Sequence, residues 1–124
     1  RSFHVTGVQT CALPISPFFW VGGAVGFTSG LVNVTTAPSI EMLHALHRGD
    51  MAGAMAVWRR VKAFEDLRAR RSAANNVPIV KEAMAQLGLC GRTVRAPISE
   101  VPEAERAEVA ALLASLGLHA PVSA

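Results

Sequence analysis

The run at residues 22–34 (GGAVGFTSGLVNV) is the feature that most constrains the fold of this 124-residue chain. It is glycine-rich, apolar and uncharged, and no Asp, Glu, Lys or Arg occurs between Arg1 and Glu41. A short apolar strand that ends in small residues and leads into a helix is typical of the rim of an α/β barrel. Because such a barrel needs about 250 residues, we predict that the chain is a piece of a larger protein.

The hydrophobic pattern predicts one strand among several helices. Residues 24–29 (AVGFTS) lie between turn-forming residues and are predicted to form a buried parallel strand. Helical segments are predicted at residues 17–23, 40–47, 51–71, 78–87 and 102–116. The longest has Asp50 as its cap and its apolar residues at positions 51, 55, 58, 61, 64 and 67. One strand cannot form a sheet, so its neighbours must lie outside this chain.

The composition limits the classes of function. Hydrophobic residues make up 51% of the chain and charged residues 17%, which indicates a globular or membrane-associated protein. The net charge of +3 is too small to indicate a nucleic-acid partner. The cysteines Cys11 and Cys90 lack CxxC spacing, so they predict neither a disulfide framework nor a zinc site. We expect a cytoplasmic setting and a buried Cys90.

Three glycines offer a competing interpretation of the same run. Gly22, Gly26 and Gly30 form a GxxxGxxxG pattern, which is typical of close-packed membrane helices, and residues 17–34 are long enough to span a bilayer. The many glycines, polar residues such as Thr28 and the lack of a flanking basic cluster disfavour insertion. We therefore predict no membrane association.

Two further clusters have an ordinary explanation that we favour. His44 and His47 lie three apart on a predicted helix with only Glu41 nearby, so they are interpreted as surface histidines and no metal site is predicted. A basic series is interrupted by Glu65 and Asp66 and is interpreted as a solvated helix face, without nucleic acid. Its members are Arg59, Arg60, Lys62, Arg68, Arg70 and Arg71.

Two motifs resemble the dihydrodipicolinate synthase and N-acetylneuraminate lyase family, over about residues 18–118. The first is the glycine-rich run that ends Ser-Gly-x-x-Asn, with Ser29, Gly30 and Asn33. The second is PIVKEAMAQLGL followed by R-x-P-[IL]. It contains Pro78, Lys81, Leu87, Gly88, Leu89, Arg95, Pro97 and Ile98. The order and spacing of the two motifs together carry the resemblance.

The resemblance implies a (β/α)8 TIM barrel followed by a three-helix C-terminal domain. Residues 24–29 would then be the eighth strand and residues 40–47 the eighth helix, so the chain itself is mostly helical. Family members are lyases or aldolases that bind pyruvate or another 2-oxo acid as a Schiff base on a lysine. The resemblance implies that substrate class, a homo-oligomer that is a tetramer by analogy, and no cofactor.

The family's catalytic groups do not carry over onto this chain. Its Schiff-base lysine lies on a barrel strand, whereas Lys62 and Lys81 fall on predicted helices, and its proton-relay tyrosine has no counterpart because the chain lacks tyrosine. Substrate-pocket lining does carry over. Thr28 matches a position whose backbone faces the bound 2-oxo acid, and Gly26 is expected to keep that wall close-packed. We predict no catalytic residue here and an inactive fragment.

The predicted organisation follows from the resemblance. Residues 5–15 (VTGVQTCALPI) resemble the conceptual translation of a sequencing-adapter oligonucleotide, so residues 1–16 are predicted to be non-native. Residues 17–49 would be the last strand and helix of a truncated barrel, residues 50–119 the C-terminal helical domain and residues 120–124 a tail. The alternative is a small helical interaction module with a glycine-rich segment that binds a membrane or a partner.

Overall fold

The computed structural model describes residues 16–120, which form five α-helices and one 3₁₀ helix. The helices are α1 (Ser16–Val21), α2 (Ala37–His47), α3 (Met51–Ala69), α4 (Asn76–Gln86) and α5 (Glu103–Ser115), with the 3₁₀ helix at Gly30–Asn33. The described residues divide into two compact units, residues 16–61 and residues 62–120. The adapter-like residues 5–15 lie outside the described residues, so the prediction for them stays a prediction.

The first unit has its core around the 3₁₀ helix and α2, which contact each other. Its buried apolar residues are Leu31, Val34, Met42, Ala45, Leu46, Ala54, Val57 and Val61. Two edge-on ring pairs attach α1 to this unit: Phe18 to Trp58, with ring centroids 6.4 Å apart, and Trp20 to His47, at 4.9 Å. Edge-to-face pairs of this kind stabilise beyond the area that they bury.

The second unit contains the end of α3 and the contacting helices α4 and α5. Its buried apolar residues are Phe64, Leu67, Ile79, Ala83, Leu87, Val101, Val109 and Leu113. The predicted apolar stripe of α3 is therefore right at its C-terminal end. Nearer the N-terminus it is wrong, because Ala54 and Val57 are buried whereas Met51 is exposed. The buried face of α3 instead contains Ala54, Val57 and Val61, which follow one another at the helical spacing of three or four residues.

The helix ends follow the local sequence closely. Asp50 caps α3 as predicted, because its Oδ1 accepts a hydrogen bond from the backbone N–H of Gly53 at 2.8 Å. Gly88 has a φ of 73° and follows the end of α4. The N–H of the next residue, Leu89, donates to the carbonyl of Met84 at 2.9 Å. This is the Schellman closure, which needs a left-handed residue and so favours glycine.

The predicted strand at residues 24–29 is absent: these residues have no regular secondary structure, and no β-strand occurs anywhere in residues 16–120. Ser29 at its end does have extended backbone angles, with φ −148° and ψ 136°. An extended segment becomes a strand only by hydrogen bonding to a neighbour. No other part of residues 16–120 supplies that neighbour, which is the physical reason for the difference.

Two other junctions differ from prediction. Helices α2 and α4 begin at Ala37 and Asn76, a few residues before the predicted starts. A proline is tolerated in the first helical turn, because its missing N–H would have no helical partner there.

The predicted loop between α3 and α4 begins as a left-handed turn. Arg71, Ser72 and Ala73 have φ values of 56°, 55° and 67°. Left-handed backbone costs roughly 1–2 kcal/mol for each such residue.

The described helices do not include one with both the length and the apolar character needed to cross a bilayer. The stretch that suggested a membrane segment, residues 17–34, is divided between the six-residue α1, the irregular segment and the 3₁₀ helix. The GxxxGxxxG glycines therefore do not share one helix face.

Candidate functional site

The two predicted pocket residues lie in the irregular segment between α1 and the 3₁₀ helix. Thr28 is exposed and Gly26 is half-buried. A Cβ atom built on Gly26 has no heavy atom within 4 Å among the described residues, so the expected close packing around this glycine does not occur within them. Thr28 and Gly26 thus occupy one continuous, accessible stretch of backbone.

The Ser-Gly-x-x-Asn motif directly after Thr28 closes a compact turn. The Oγ atom of Ser29 accepts a hydrogen bond from the N–H of Leu31 at 3.1 Å and caps the 3₁₀ helix. The amide of Asn33 donates to the carbonyl of Gly30 at 3.2 Å. Leu31 between them is fully buried. The motif therefore fixes where the segment with Thr28 ends, a role that the sequence pattern alone did not assign to Ser29 and Asn33.

Both lysines lie on helices, as predicted. Lys62 is on α3, where its ammonium group pairs with Asp66 one turn later, and Lys81 is on α4. A lysine amine must lose its proton before it can attack a carbonyl, and burial or a neighbouring cation is what usually provides that change. Lys62 lies beside a carboxylate, and its side chain is not buried. The surroundings of Lys62 therefore lack the burial that would activate its amine.

The second unit holds a polar cluster that sequence analysis missed. Glu65 and Arg68 were placed on a solvated face, but they are only 4% and 3% exposed and form an ion pair at 2.5 Å, so that placement is wrong. Arg68 also donates to the side chain of Asn76. Buried charges are stable only when they are paired and hydrogen-bonded. The signal in the sequence was the i, i+3 spacing of opposite charges on the core side of Phe64 and Leu67.

Neighbouring polar residues extend this cluster to α5. The buried amide of Asn75 donates to Oε2 of Glu105 at 2.8 Å and to the carbonyl of Leu67 at 3.4 Å. Glu105 also pairs with Arg71 at 2.5 Å. These contacts join the end of α3, the left-handed turn and the first turn of α5. These contacts stabilise the left-handed turn at residues 71–73, where the backbone is strained.

A second buried carboxylate lies between α4 and α5. Glu82 is 2% exposed, and its Oε1 accepts a hydrogen bond from the amide of Gln86 at 2.9 Å. Its Oε2 is 3.5 Å from Nε of Arg92 and 3.9 Å from Nε of Arg106. Arg106 in turn donates to the carbonyl of Val101 at 3.0 Å. These groups have a clear structural role, since together they satisfy a charge that would otherwise be buried alone.

An exposed ion pair shifts the pKa of both its members. Arg70 Nη2 is 2.9 Å from Oε2 of Glu108. The hydrogen bond from Arg70 lowers the pKa of the Glu108 carboxyl, and the same bond raises the pKa of the Arg70 guanidinium. Because the folded pKa of Glu108 lies below its unfolded value, the contribution of this pair to stability is complete above the unfolded pKa. It is lost as the pH falls through the folded pKa.

We expect Arg70→Met to raise the pKa of the Glu108 carboxyl back towards its ordinary value, because the donor that stabilises the carboxylate is removed. An NMR titration of the side-chain carboxyl carbons measures this shift. Arg59→Met is the matched control, since Arg59 is an exposed arginine on α3, the helix that ends just before Arg70, and it should leave the Glu108 titration unchanged. A Glu108 pKa that does not respond to Arg70→Met would contradict the assignment.

Other predicted candidates are separate from these clusters. His44 and His47 are exposed, as predicted, and His47 packs against the ring of Trp20. Among residues 16–120 no three or more His, Cys, Asp or Glu side chains come together in a way that could hold a metal ion. Cys90 is exposed, so the prediction that it is buried is wrong. It follows the Gly88 turn and lies in the non-helical segment between α4 and α5.

Comparison with known proteins gives one consistent result. A model of the dihydrodipicolinate synthetase family matches residues 6–116. The 4-hydroxy-tetrahydrodipicolinate synthase of Thermomicrobium roseum is 37% identical over 115 residues, which are 93% of this chain and 36% of that protein. The synthase of the same name from Anaeromyxobacter dehalogenans is 33% identical over 104 residues, 84% of this chain and 34% of that protein.

Solved structures of dihydrodipicolinate synthases are also similar to this chain. The crystal structure of dihydrodipicolinate synthase from Oceanobacillus iheyensis superposes with a TM-score of 0.82 and 46% identity, covering 86% of this chain and 36% of that one. The synthase from Bacillus clausii gives a TM-score of 0.83 and 41% identity, covering 87% of this chain and 36% of that one.

The described helices thus have the fold of one part of an α/β-barrel synthase, and the predicted fold class, a mostly helical piece of such a barrel enzyme, is confirmed. The chain belongs to the dihydrodipicolinate synthetase family, as its two motifs indicated. It spans about a third of the length of the relatives that it matches, 36% of the first of them.

Proposed function

We propose that this chain is the C-terminal part of a lyase or aldolase that acts on pyruvate or another 2-oxo acid through a lysine Schiff base. The observation that carries the proposal is the family match over residues 6–116, combined with coverage of only 36% of the first relative. The relatives are named as synthases of 4-hydroxy-tetrahydrodipicolinate. A condensation of that class is the first candidate reaction, with sialic acid cleavage and sugar-acid chemistry as the alternatives on the same scaffold.

The proposed division of labour follows from the residues. The segment with Thr28 and Gly26 forms one wall of the substrate pocket, with the backbone at Thr28 facing the 2-oxo acid. The nucleophilic lysine and the proton-relay tyrosine belong to other barrel strands. Exposed apolar side chains in the first unit support this arrangement: Val25, next to Gly26, is 88% exposed, although a buried strand would cover it. The remaining barrel strands are the proposed cover.

The setting of the intact enzyme is part of the same proposal. We place it in the cytoplasm, as a homo-oligomer that is a tetramer by family analogy, with no cofactor beyond the lysine itself. The C-terminal helical domain, residues 50–119, braces the barrel. Within the second unit, the hydrogen bond from Arg68 to Asn76 joins α3 to α4, and the pair of Glu82 with Arg106 joins α4 to α5.

The chain alone is expected not to form a Schiff base with pyruvate, because Lys62 is charge-paired and both lysines lie on helices. Incubation with pyruvate and sodium borohydride, followed by mass spectrometry, measures covalent trapping. The intact synthase of Thermomicrobium roseum serves as the positive control. A pyruvate adduct on Lys62 or Lys81 that forms to the same extent as in the control would contradict this prediction.

A chimera tests the proposal itself. Residues 17–120 of this chain replace the matching third of the Thermomicrobium roseum synthase, with a protein that simply lacks that third as the control. We expect the chimera, and not the shortened control, to trap pyruvate and to turn over substrate. A chimera with the helical circular dichroism of its parent that traps nothing would overturn the proposed role of residues 17–120.

The alternative function, a helical interaction module with a glycine-rich binding segment, has weaker support. The family match includes the glycine-rich run, and the helical conformation required for a membrane segment is broken after α1. The family match therefore favours the enzyme.

A further inference from the structure

Most charged side chains of the second unit neutralise one another. The carboxylates of Glu65, Asp66, Glu82, Glu100, Glu103, Glu105 and Glu108 each lie within 4.0 Å of an arginine or lysine nitrogen. Four cations among residues 16–120 have no carboxylate within that distance there: Arg48, Arg59, Lys81 and Arg95.

Two of them, Lys81 and Arg95, line the same groove. Lys81 is on α4, and Arg95 belongs to the non-helical segment between α4 and α5. The groove has a volume of about 460 Å³, and its other lining residues are Val77, Thr93, Val94 and Ile98. Small-molecule sites commonly have volumes of about 300–1,000 Å³ and apolar walls with a few converging polar groups. This groove has that composition.

The polar groups of the groove select the charge of a ligand. A lysine ammonium and an arginine guanidinium are donors only, and the hydroxyl of Thr93 can donate as well. No Asp or Glu is among the lining residues, so the local charge is positive. The rest of the lining is aliphatic and comes from Val77, Val94 and Ile98. Hydrogen bonds from such cations to carboxylate or phosphate oxygens are the strong ones.

A neighbouring depression differs from this groove in how its cations are paired. It has a volume of about 360 Å³, shares Ile98 with the groove and contains Arg71 and Asn75. Both of these side chains already bind Glu105. The positive charge of this depression is therefore compensated within the chain, whereas no carboxylate of residues 16–120 pairs with the cations of the Lys81–Arg95 groove.

We infer that the groove between α4 and residues 93–98 is a binding site for a small oxyanion, a phosphate or a carboxylate, held by Lys81, Arg95 and Thr93. This site is separate from the pocket wall proposed at Thr28, and it requires no catalysis. A ligand with one anionic group and a short apolar part fits the mixture of cations and aliphatic walls.

Titration of the chain with inorganic phosphate, and separately with acetate, tests this inference by NMR at constant ionic strength, with chloride as the reference salt. We expect saturable shifts of the backbone amides of Thr93, Val94 and Arg95 with at least one of the two anions. The double variant K81Q/R95Q should weaken that binding at least about tenfold, since a charge-assisted hydrogen bond contributes at least that factor.

The matched control is R48Q/R59Q, which removes the two other cations without a carboxylate neighbour among residues 16–120. It should retain the binding of the wild-type chain, and both double variants should keep the helical circular dichroism of the wild type. The inference is overturned if neither anion gives saturable shifts at residues 93–95. It is equally overturned if the two double variants weaken binding to the same degree, because that would indicate general screening of charge.

Discussion

Replacing Arg68 with methionine is expected to lower the free energy of unfolding of the chain by about 3–5 kcal/mol, because it leaves the buried carboxylate of Glu65 without its cation. Urea unfolding followed by circular dichroism at 222 nm, an ordinary wavelength for helix content, measures the loss. If the loss exceeds the free energy of unfolding of the wild-type chain, the variant is unfolded and lacks the helical signal even without urea. The hydrogen bond from Arg68 to Asn76 is removed at the same time.

Two controls separate burial from charge. Lys62→Met breaks the pair with Asp66 on the same helix, and because both partners are solvent-accessible it should cost only about 0–1 kcal/mol. The double variant E65L/R68M removes both buried charges, and it should recover most of the stability that R68M loses, since an apolar pair of similar volume often replaces a buried ion pair without loss. If R68M costs no more than K62M, the buried pair is not a structural element.

Phe64→Ala should destabilise the chain by a similar amount, about 3–5 kcal/mol, because it removes a large side chain from a fully packed site and leaves a cavity. Phe64 is 1% exposed and belongs to the core that includes Leu67, Ile79 and Val109. The same urea experiment measures the change. Because its cause is lost packing, the effect of Phe64→Ala should not depend on salt concentration.

Val77→Ala is the matched control for the core substitution. Val77 lies on α4 in the same unit, but its side chain is exposed, so its truncation should change the stability by less than about 0.5 kcal/mol. Equal losses for Phe64→Ala and Val77→Ala would mean that the second unit does not have the packed core described above.

The sequence predicted best where local chemistry decides the structure. Asp50 was correctly predicted to cap α3, because a cap depends on contacts within a few residues. The inward residues Phe64 and Leu67 followed from helical spacing. These inferences need no knowledge of the rest of the chain.

The sequence predicted worst where distant residues decide. Arg68 is buried where Glu65 and Asn76 both accept hydrogen bonds from its guanidinium. The spacing to Glu65 is visible in the sequence, but the contact with Asn76 on the next helix is not. Cys90 was expected to be buried from its residue type, but it is exposed in the non-helical segment after Gly88. The segment at residues 24–29 has the composition of a strand, yet strand formation depends on hydrogen-bond partners that residues 16–120 do not provide.

The turn at residues 71–73 has a consequence for sequence variation at the surface. These three positions are exposed, and exposed positions usually accept most residue types. Their backbone has the opposite handedness to a normal helix. A β-branched side chain here would therefore clash with its own main chain, even though the position is exposed to solvent. Evolutionary freedom at this corner is therefore set by backbone torsion and not by accessibility, and glycine or asparagine are the replacements that it admits most easily.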